Sequence, residues 1–302
     1  MGTICSARSA ILGAMLLPSA ISHRALASLL AVGSALCQAQ PLPTKAPTHD
    51  HASDTAAIRT HRLQRLQDKL TIPAEELHQS CRYESDIATR PPFKQIALTF
   101  DDGPEPGQTP YILALLRKYH IPAAFFMIGE KAQKHPELVQ AVRNEGVHLI
   151  GNHSWSHPNF HAIAPAEQEQ EVLRGEEALG DALVGKFFRY PYGNSSCETQ
   201  QLLQQRGFRT VGWHVDSCDW AFDHHGSVDA REAMECGVLP QNRSNYVEHV
   251  LAAARAHQGG IVLMHEIHPN TLHQLEAIIR ALQADGFGFA RIDDAPFSRS
   301  LR

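Results

Sequence analysis

From residue 93 onward, short runs rich in β-branched and aromatic residues alternate with stretches of helical spacing, and that rhythm admits few folds. The β-rich runs fall at 95–100, 123–128, 148–153, 187–190, 210–215, 260–265 and 287–292. Helical patterning fills 111–120, 131–145, 166–183, 198–206, 246–257 and 271–284. A helix returns the chain to the end where the previous strand began, so successive strands lie parallel. About seven repeats predict an α/β fold: a distorted (β/α) barrel with about seven parallel strands, closed or nearly closed. An open doubly wound sheet is the alternative. No GxGxxG or GxxxxGK(S/T) turn follows a strand, so nothing favours a nucleotide.

Ahead of that rhythm lie two further parts. Residues 1–39 hold no Asp or Glu, and only Arg8 and Arg24 as fixed side-chain cations. They end in an apolar stretch, 25–36, followed by Cys37-Gln38-Ala39, which is the layout of an export signal. A start at Met15 would bring its length nearer the usual. Pro18 and Arg24 interrupt the segment, which disfavours a retained anchor, and no later run is apolar and long enough to span a bilayer. The expectation is a secreted or periplasmic protein with no transmembrane anchor after cleavage. Residues 40–92 read as a Pro-, Thr- and His-rich linker and an N-terminal amphipathic helix. In that helix Leu63, Leu66 and Leu70 would pack onto the main domain, 93–302.

Cleavage would remove Cys5 and Cys37 and leave Cys81, Cys197, Cys218 and Cys236. Four cysteines in an exported chain suit two disulfides, with three connectivities open. Cys218–Cys236 is favoured because it would clasp one polar excursion. None forms a CxxC pair, which disfavours a thiolate zinc site. The net charge of −5 disfavours a nucleic-acid partner.

Functional groups of a parallel barrel gather at the carboxyl ends of its strands. Polar clusters stand at five such ends: Asp101-Asp102-Gly103-Pro104, His153-Ser154-Trp155-Ser156-His157, Arg189-Tyr190-Pro191-Tyr192, Asp216-Ser217-Cys218-Asp219-Trp220 and Leu263-Met264-His265. His153 and His157 could share one metal ion if their segment is helical or tightly turned, although 19 histidines make a chance pair common. Asp102 would supply the oxygen ligand. Two imidazoles and one carboxylate leave coordination positions open, which is the catalytic arrangement. Zn²⁺ is the default, with Co²⁺, Ni²⁺ or Mn²⁺ acceptable. Non-haem iron oxygenases use the same ligands, but their usual His-x-Asp does not precede this pair.

With Asp102 on the metal, Asp101 is free to act as a base, unless D-G-P is simply a turn. Arg189 could hold Asp101 ionised. His265 would be a general acid kept cationic by Asp219, and Trp220 an apolar wall or a core aromatic. His224, His225 and His268 read as solvated loop histidines.

Taken together, these five clusters resemble the ordered motifs of the polysaccharide deacetylases, the NodB-homology enzymes of carbohydrate esterase family four. The likeness covers about residues 93–295, and its one departure is Tyr190, where many members have a second proline. The resemblance implies that Asp101 is the base, and that Asp102, His153 and His157 bind the metal. It also implies that Arg189 orients the base, that the Tyr192 N–H helps form an oxyanion hole, and that His265 is the acid, with Asp219 tuning it and Trp220 lining the groove. The implied activity is removal of N-acetyl groups from an N-acetylglucosamine polysaccharide, peptidoglycan or chitin-like, by a monomer. An O-acetyl xylan esterase is a rival reading. A non-catalytic glycan-binding relic is another, disfavoured because base and ligands are all present.

Overall fold

The structure is a computed structural model and describes residues 51–83, 86–87 and 89–301; the expected signal, the Met15 start and most of the linker lie outside these residues. In chain order the elements are α1 (Ala52–Thr71), α2 (Ala74–Gln79), β1 (Gln95–Gly103), α3 (Gln108–Tyr119), β2 (Ala123–Met127), α4 (Gly129–Lys134), α5 (Pro136–Asn144), β3 (Leu149–Asn152), α6 (Pro165–Leu179) and β4 (Phe187–Phe188). They continue as α7 (Cys197–Gln205), β5 (Arg209–Thr210), β6 (Val215–Asp216), α8 (Asp219–His225), α9 (Ala230–Cys236), α10 (Tyr246–His257), β7 (Gly260–His265), α11 (Pro269–Ala284) and β8 (Gly288–Phe289), with short 3₁₀ turns between.

All strand pairs are parallel, in the order β5-β4-β3-β2-β1-β7-β6, and β8 pairs with the start of β1. Parallel strands covered on both faces are buried throughout, and β1 is buried from Ile96 to Gly103. Side chains alternate across a strand, and the alternation sorts the core into two layers. Ile96, Leu98, Phe100, Phe125, Phe188, Val262 and Met264 belong to the large cluster that includes the helices. Ala97, Phe126, Leu149, Phe187 and Ile261 form the inner cluster, stoppered by Ile292 and Phe297 from the C-terminal segment.

The same parity carries forward. Two and four residues beyond Ala97 come Thr99 and Asp101; four beyond Leu149 comes His153; two beyond Phe187 comes Arg189; four beyond Ile261 comes His265. Four candidate functional side chains therefore fall on the inner face, at the carboxyl end, before any contact is measured.

The expected strand 210–215 is two short strands. β5 pairs with β4 and β6 pairs with β7, so eight consecutive residues join the two outer edges of the sheet. The curl is closed there by the chain and not by a ladder of hydrogen bonds. Helical patterning at 131–145 is likewise broken into α4 and α5 at Pro136, which lacks an N–H and starts the second helix. The polar excursion clasped by Cys218–Cys236 contains α9, which Asp229 caps.

Cys218 is bonded to Cys236 and Cys81 to Cys197. Among the described residues no helix is long and apolar enough to cross a membrane. α1 does pack onto the main body, but through only one of its three leucines: Leu66 is buried, Leu63 half-buried and Leu70 exposed, while Ile58, Arg62, Arg65 and Asp68 are buried beside Leu66. Arginine points inward because carboxylates wait beneath it. Arg62 pairs with Asp216 and Glu235, and Arg65 with Asp86 and Glu235.

Candidate active site

β1 ends in Asp101-Asp102, and the backbone twists at Asp102, whose φ is +70°. That left-handed conformation, uncommon outside glycine, turns the second aspartate away from the strand's alternation. Five of the ten described non-glycine residues with positive φ lie in the motif segments: Asp102, Ser154, His157, Tyr192 and Cys218. Such strain gathers where function over-determines the backbone. Glycine at 103 leaves room for Glu266, whose Oε1 would lie 1.8 Å from a Cβ there.

Asp102, His153 and His157 converge. Asp102 Oδ1 lies 3.2 Å from His157 Nε2 and 3.5 Å from His153 Nε2. Both Asp102 oxygens are buried without a hydrogen-bond partner, which is costly for a carboxylate unless a cation completes the group. His153 Nδ1 lies 2.8 Å from the Arg189 carbonyl. A carbonyl can only accept, so Nδ1 carries the proton and Nε2 keeps its lone pair for a metal. Burial pushes His157 down to about 3, which keeps that ring neutral. The donor set fits a divalent cation.

The pair sits in a tight turn and not a helix. Glu171 accepts the N–H groups of Trp155 and Ser156 at 2.9 and 2.7 Å, and Ser154 Oγ accepts the His157 N–H at 3.0 Å. Glu171 carried no motif signal in the sequence. Lys131 Nζ donates to the Asp102 carbonyl at 2.9 Å, another contact that the sequence did not single out.

Beside this triad stands Asp101. Arg189 Nη1 donates to Asp101 Oδ1 at 2.7 Å and to Thr99 Oγ1 at 2.8 Å. Its Nε and Nη2 donate to the carbonyls of Val211 and Gly212, both at 3.1 Å. Those carbonyls lie in the gap between β5 and β6. The guanidinium is fully buried and all three of its nitrogens donate hydrogen bonds, as a charge in a core requires.

On the other side is His265. Its Nδ1 lies 2.8 Å from Asp219 Oδ1. Asp219 also accepts from the N–H groups of His265 and Trp220 and from Thr271 Oγ1, at 2.7, 2.9 and 2.6 Å. Burial alone would push His265 down, but the Asp219 charge and hydrogen bond, helped by Asp102 and Asp101, raise it to about 10. The same pairing holds Asp219 far below the usual carboxylate range despite its burial.

Two expectations change. Trp220 takes the core-aromatic reading and not the groove-lining one, being fully buried in the large cluster; Trp213 and Leu263 line the cavity that reaches Asp101 and His265. The bend at Cys218, with φ of +60°, starts α8 there and turns Trp220 inward. His268, read as solvated, is fully buried with its ring 5.1 Å from His265. The sequence did hold a signal for it: His265-x-x-His268 followed by a helix-starting proline. Asp219, His265 and His268 form a second compact acidic-imidazole group. The side chains of His224 and His225 fall outside what the structure describes. Tyr192 is where the motif predicts, in a turn beside the triad, with its ring 4.6 Å from that of His157.

Comparison with known proteins places the chain in a family. The model of the polysaccharide deacetylase family matches residues 88–211. A chitooligosaccharide deacetylase from Bradyrhizobium is 33% identical over 64% of this chain and 87% of its own length. This chain belongs to the polysaccharide deacetylase family. The peptidoglycan-N-acetylglucosamine deacetylase PgdA of Listeria monocytogenes is 33% identical over 67% of the chain, which spans 38% of that longer protein. A family 4 carbohydrate esterase from Streptomyces lividans, solved with acetate, shares the fold with a TM-score of 0.54 and 29% identity. That match covers 68% of this deacetylase-family chain and 94% of the esterase. The curled sheet of parallel strands expected from the sequence is the family's architecture.

Proposed function

We propose that the chain is an exported, metal-dependent hydrolase that removes N-acetyl groups from an N-acetylglucosamine polysaccharide, peptidoglycan or chitin-like, and releases acetate. One observation carries this reading. Two imidazoles and an unpartnered buried carboxylate face one another, with an Arg-held aspartate on one side and an Asp-held histidine on the other. The two disulfides suit an exported protein.

Asp102, His153 and His157 would hold the cation, with Zn²⁺ the default for this ligand set. When bound, the ion supplies Lewis acidity and brings the pKa of water from 15.7 to about 7. Asp101 takes the proton from the attacking water as its oxygen bonds to the acetyl carbon. Arg189 keeps Asp101 in place, and the Tyr192 N–H meets the charge that develops on the carbonyl oxygen; one such donor contributes about 3 kcal/mol. His265 then gives its proton to the nitrogen as the C–N bond breaks, leaving acetate and a free amine. Asp219 steadies the ring in the proton-carrying state.

Acetate release from N-acetylglucosamine oligomers, peptidoglycan and acetylated xylan, with and without chelator, tests the proposal. Chelator-sensitive release from the first two supports it. Release from xylan alone would replace the amide with an ester, and no release from any would end the hydrolase reading.

A further inference from the structure

α1 lies across the candidate active site. Twenty residues make a rod about 30 Å long, and it meets one functional element after another. Thr55 Oγ1 lies 3.5 Å from His268, the ring beside His265. His61 packs on Tyr192 at 4.4 Å, Arg65 donates to the Gly193 carbonyl at 3.2 Å, and Arg62 pairs with Asp216. α1 also packs against α8, which opens with Asp219-Trp220.

Ile58, only 3% exposed, lines two cavities that reach the triad among the described residues. The cavity touching both Asp101 and His265, closed by Ile58 and Arg62, has a volume of about 10 Å³. That is room for about one water and for no acetamido group. Its neighbour, lined by Asp54, Ile58, Asp102, His157 and Tyr192, is about 420 Å³ but does not reach the base or the acid.

We propose that α1 is a built-in lid: it occupies the groove where the polysaccharide would lie and must swing out before an acetyl group reaches Asp101 and His265. This rests on the deacetylase reading and adds a regulated entry to it.

The character of the contact fits a part that opens. Its clasp is largely ionic: Arg59 to Asp229 and Glu232, Arg62 to Asp216 and Glu235, Arg65 to Asp86 and Glu235. Exposed ion pairs add little, and buried ones return much of their attraction as lost hydration. Only Ile58 and Leu66 supply fully buried apolar contact. Three of the carboxylates, Asp229, Glu232 and Glu235, belong to α9 and its cap, inside the loop closed by Cys218–Cys236. A joint is present too. Ile72 is extended ahead of Pro73, where the helix stops, and the Cys81–Cys197 bond anchors the chain beyond it.

Hydrogen exchange on the full chain tests the lid in two arms. Without ligand, Arg59→Glu turns a clasp into repulsion. Exchange across residues 54–66 should accelerate at least about tenfold while residues 96–101 keep their rate, because a local unit opens by itself. No acceleration, or acceleration of both segments together, overturns the lid whatever the substrate is. In the second arm, the zinc-loaded Asp101→Asn chain receives the N-acetylglucosamine pentamer. Slower exchange at 153–158 and 190–194 with faster exchange at 54–66 supports displacement by sugar. Slowing of all three segments makes α1 a groove wall and overturns the lid. If the pentamer changes nothing, the deacetylase reading loses its ligand while the first arm still decides the lid.

Discussion

Replacing Asp219 with Asn isolates what a single buried carboxylate does for its histidine. His265 is held at about 10 against an ordinary 6.5. Asp102 contributes to that rise, and a bound cation would offset its charge, so Asp219 is the main source left in the loaded protein. At 1.36 kcal/mol per unit, the whole rise is worth at most roughly 5 kcal/mol of preference for the protonated ring. In Asp219→Asn, burial outweighs the weaker pull of Asp101, and His265 falls to about its ordinary 6.5. At pH 7.5 only about one ring in ten would then carry the proton, and acetate release from the pentamer should fall about tenfold, recovering near pH 5.5.

Stability should follow the same linkage. A raised folded-state pKa stabilises fully below the unfolded value, and the stabilisation fades as pH climbs from 6.5 towards 10. Asp219 is depressed, so its share is present above about 3.8 and fades below that. The Tm difference between the parent and Asp219→Asn should therefore be widest between about pH 4 and 6.5, and shrink on the alkaline side. The assay is acetate release from pH 5 to 10, with thermal unfolding across the same range. Superimposable alkaline limbs would refute the argument that Asp219 sets the charge on His265.

Three further outcomes follow from the site. Asp101→Asn should lower turnover by roughly two or more orders of magnitude while zinc binding, read by calorimetry, stays near parental; full activity would remove Asp101 as the base. His157→Ala takes away one of three ligand side chains and should weaken zinc affinity by at least about a hundredfold, with loss of the zinc-dependent rise in Tm. Gly103→Ala drives a methyl into the Glu266 carboxyl and should lower stability by about 1–3 kcal/mol in urea denaturation; an unchanged midpoint would show that Glu266 moves aside freely.

Much of this site could be read from the chain because strand alternation is a local property. Thr99 and Asp101, or Leu263 and His265, share a face whatever the rest of the protein does, and the parallel rhythm sends both pairs to the same rim. Cys218–Cys236 was legible for a similar reason, since it closes a short stretch. What escaped depends on distant partners. The run 210–215 has one β signature, and nothing in it says that its halves pair with different neighbours. The leucine spacing of α1 buries Leu66, yet the rest of the buried face went to Arg62 and Arg65 rather than Leu63 and Leu70, because the surface that receives them is lined by Asp216, Glu235 and Asp86. Which of its two readings Trp220 follows, and the burial of His268, escaped alike: a flanking turn decides which way each faces, and turn geometry is weakly encoded.

The unpaired seam between β5 and β6 ties two properties of the molecule together. One planar cation stitches the margin of the curled sheet through Val211 and Gly212, and with its remaining arm it grips Asp101. Any substitution that frees Asp101 also leaves the seam unstitched. Drift at position 189 is thus penalised twice, so the setting of Asp101 and the integrity of the sheet margin cannot be adjusted separately in this protein.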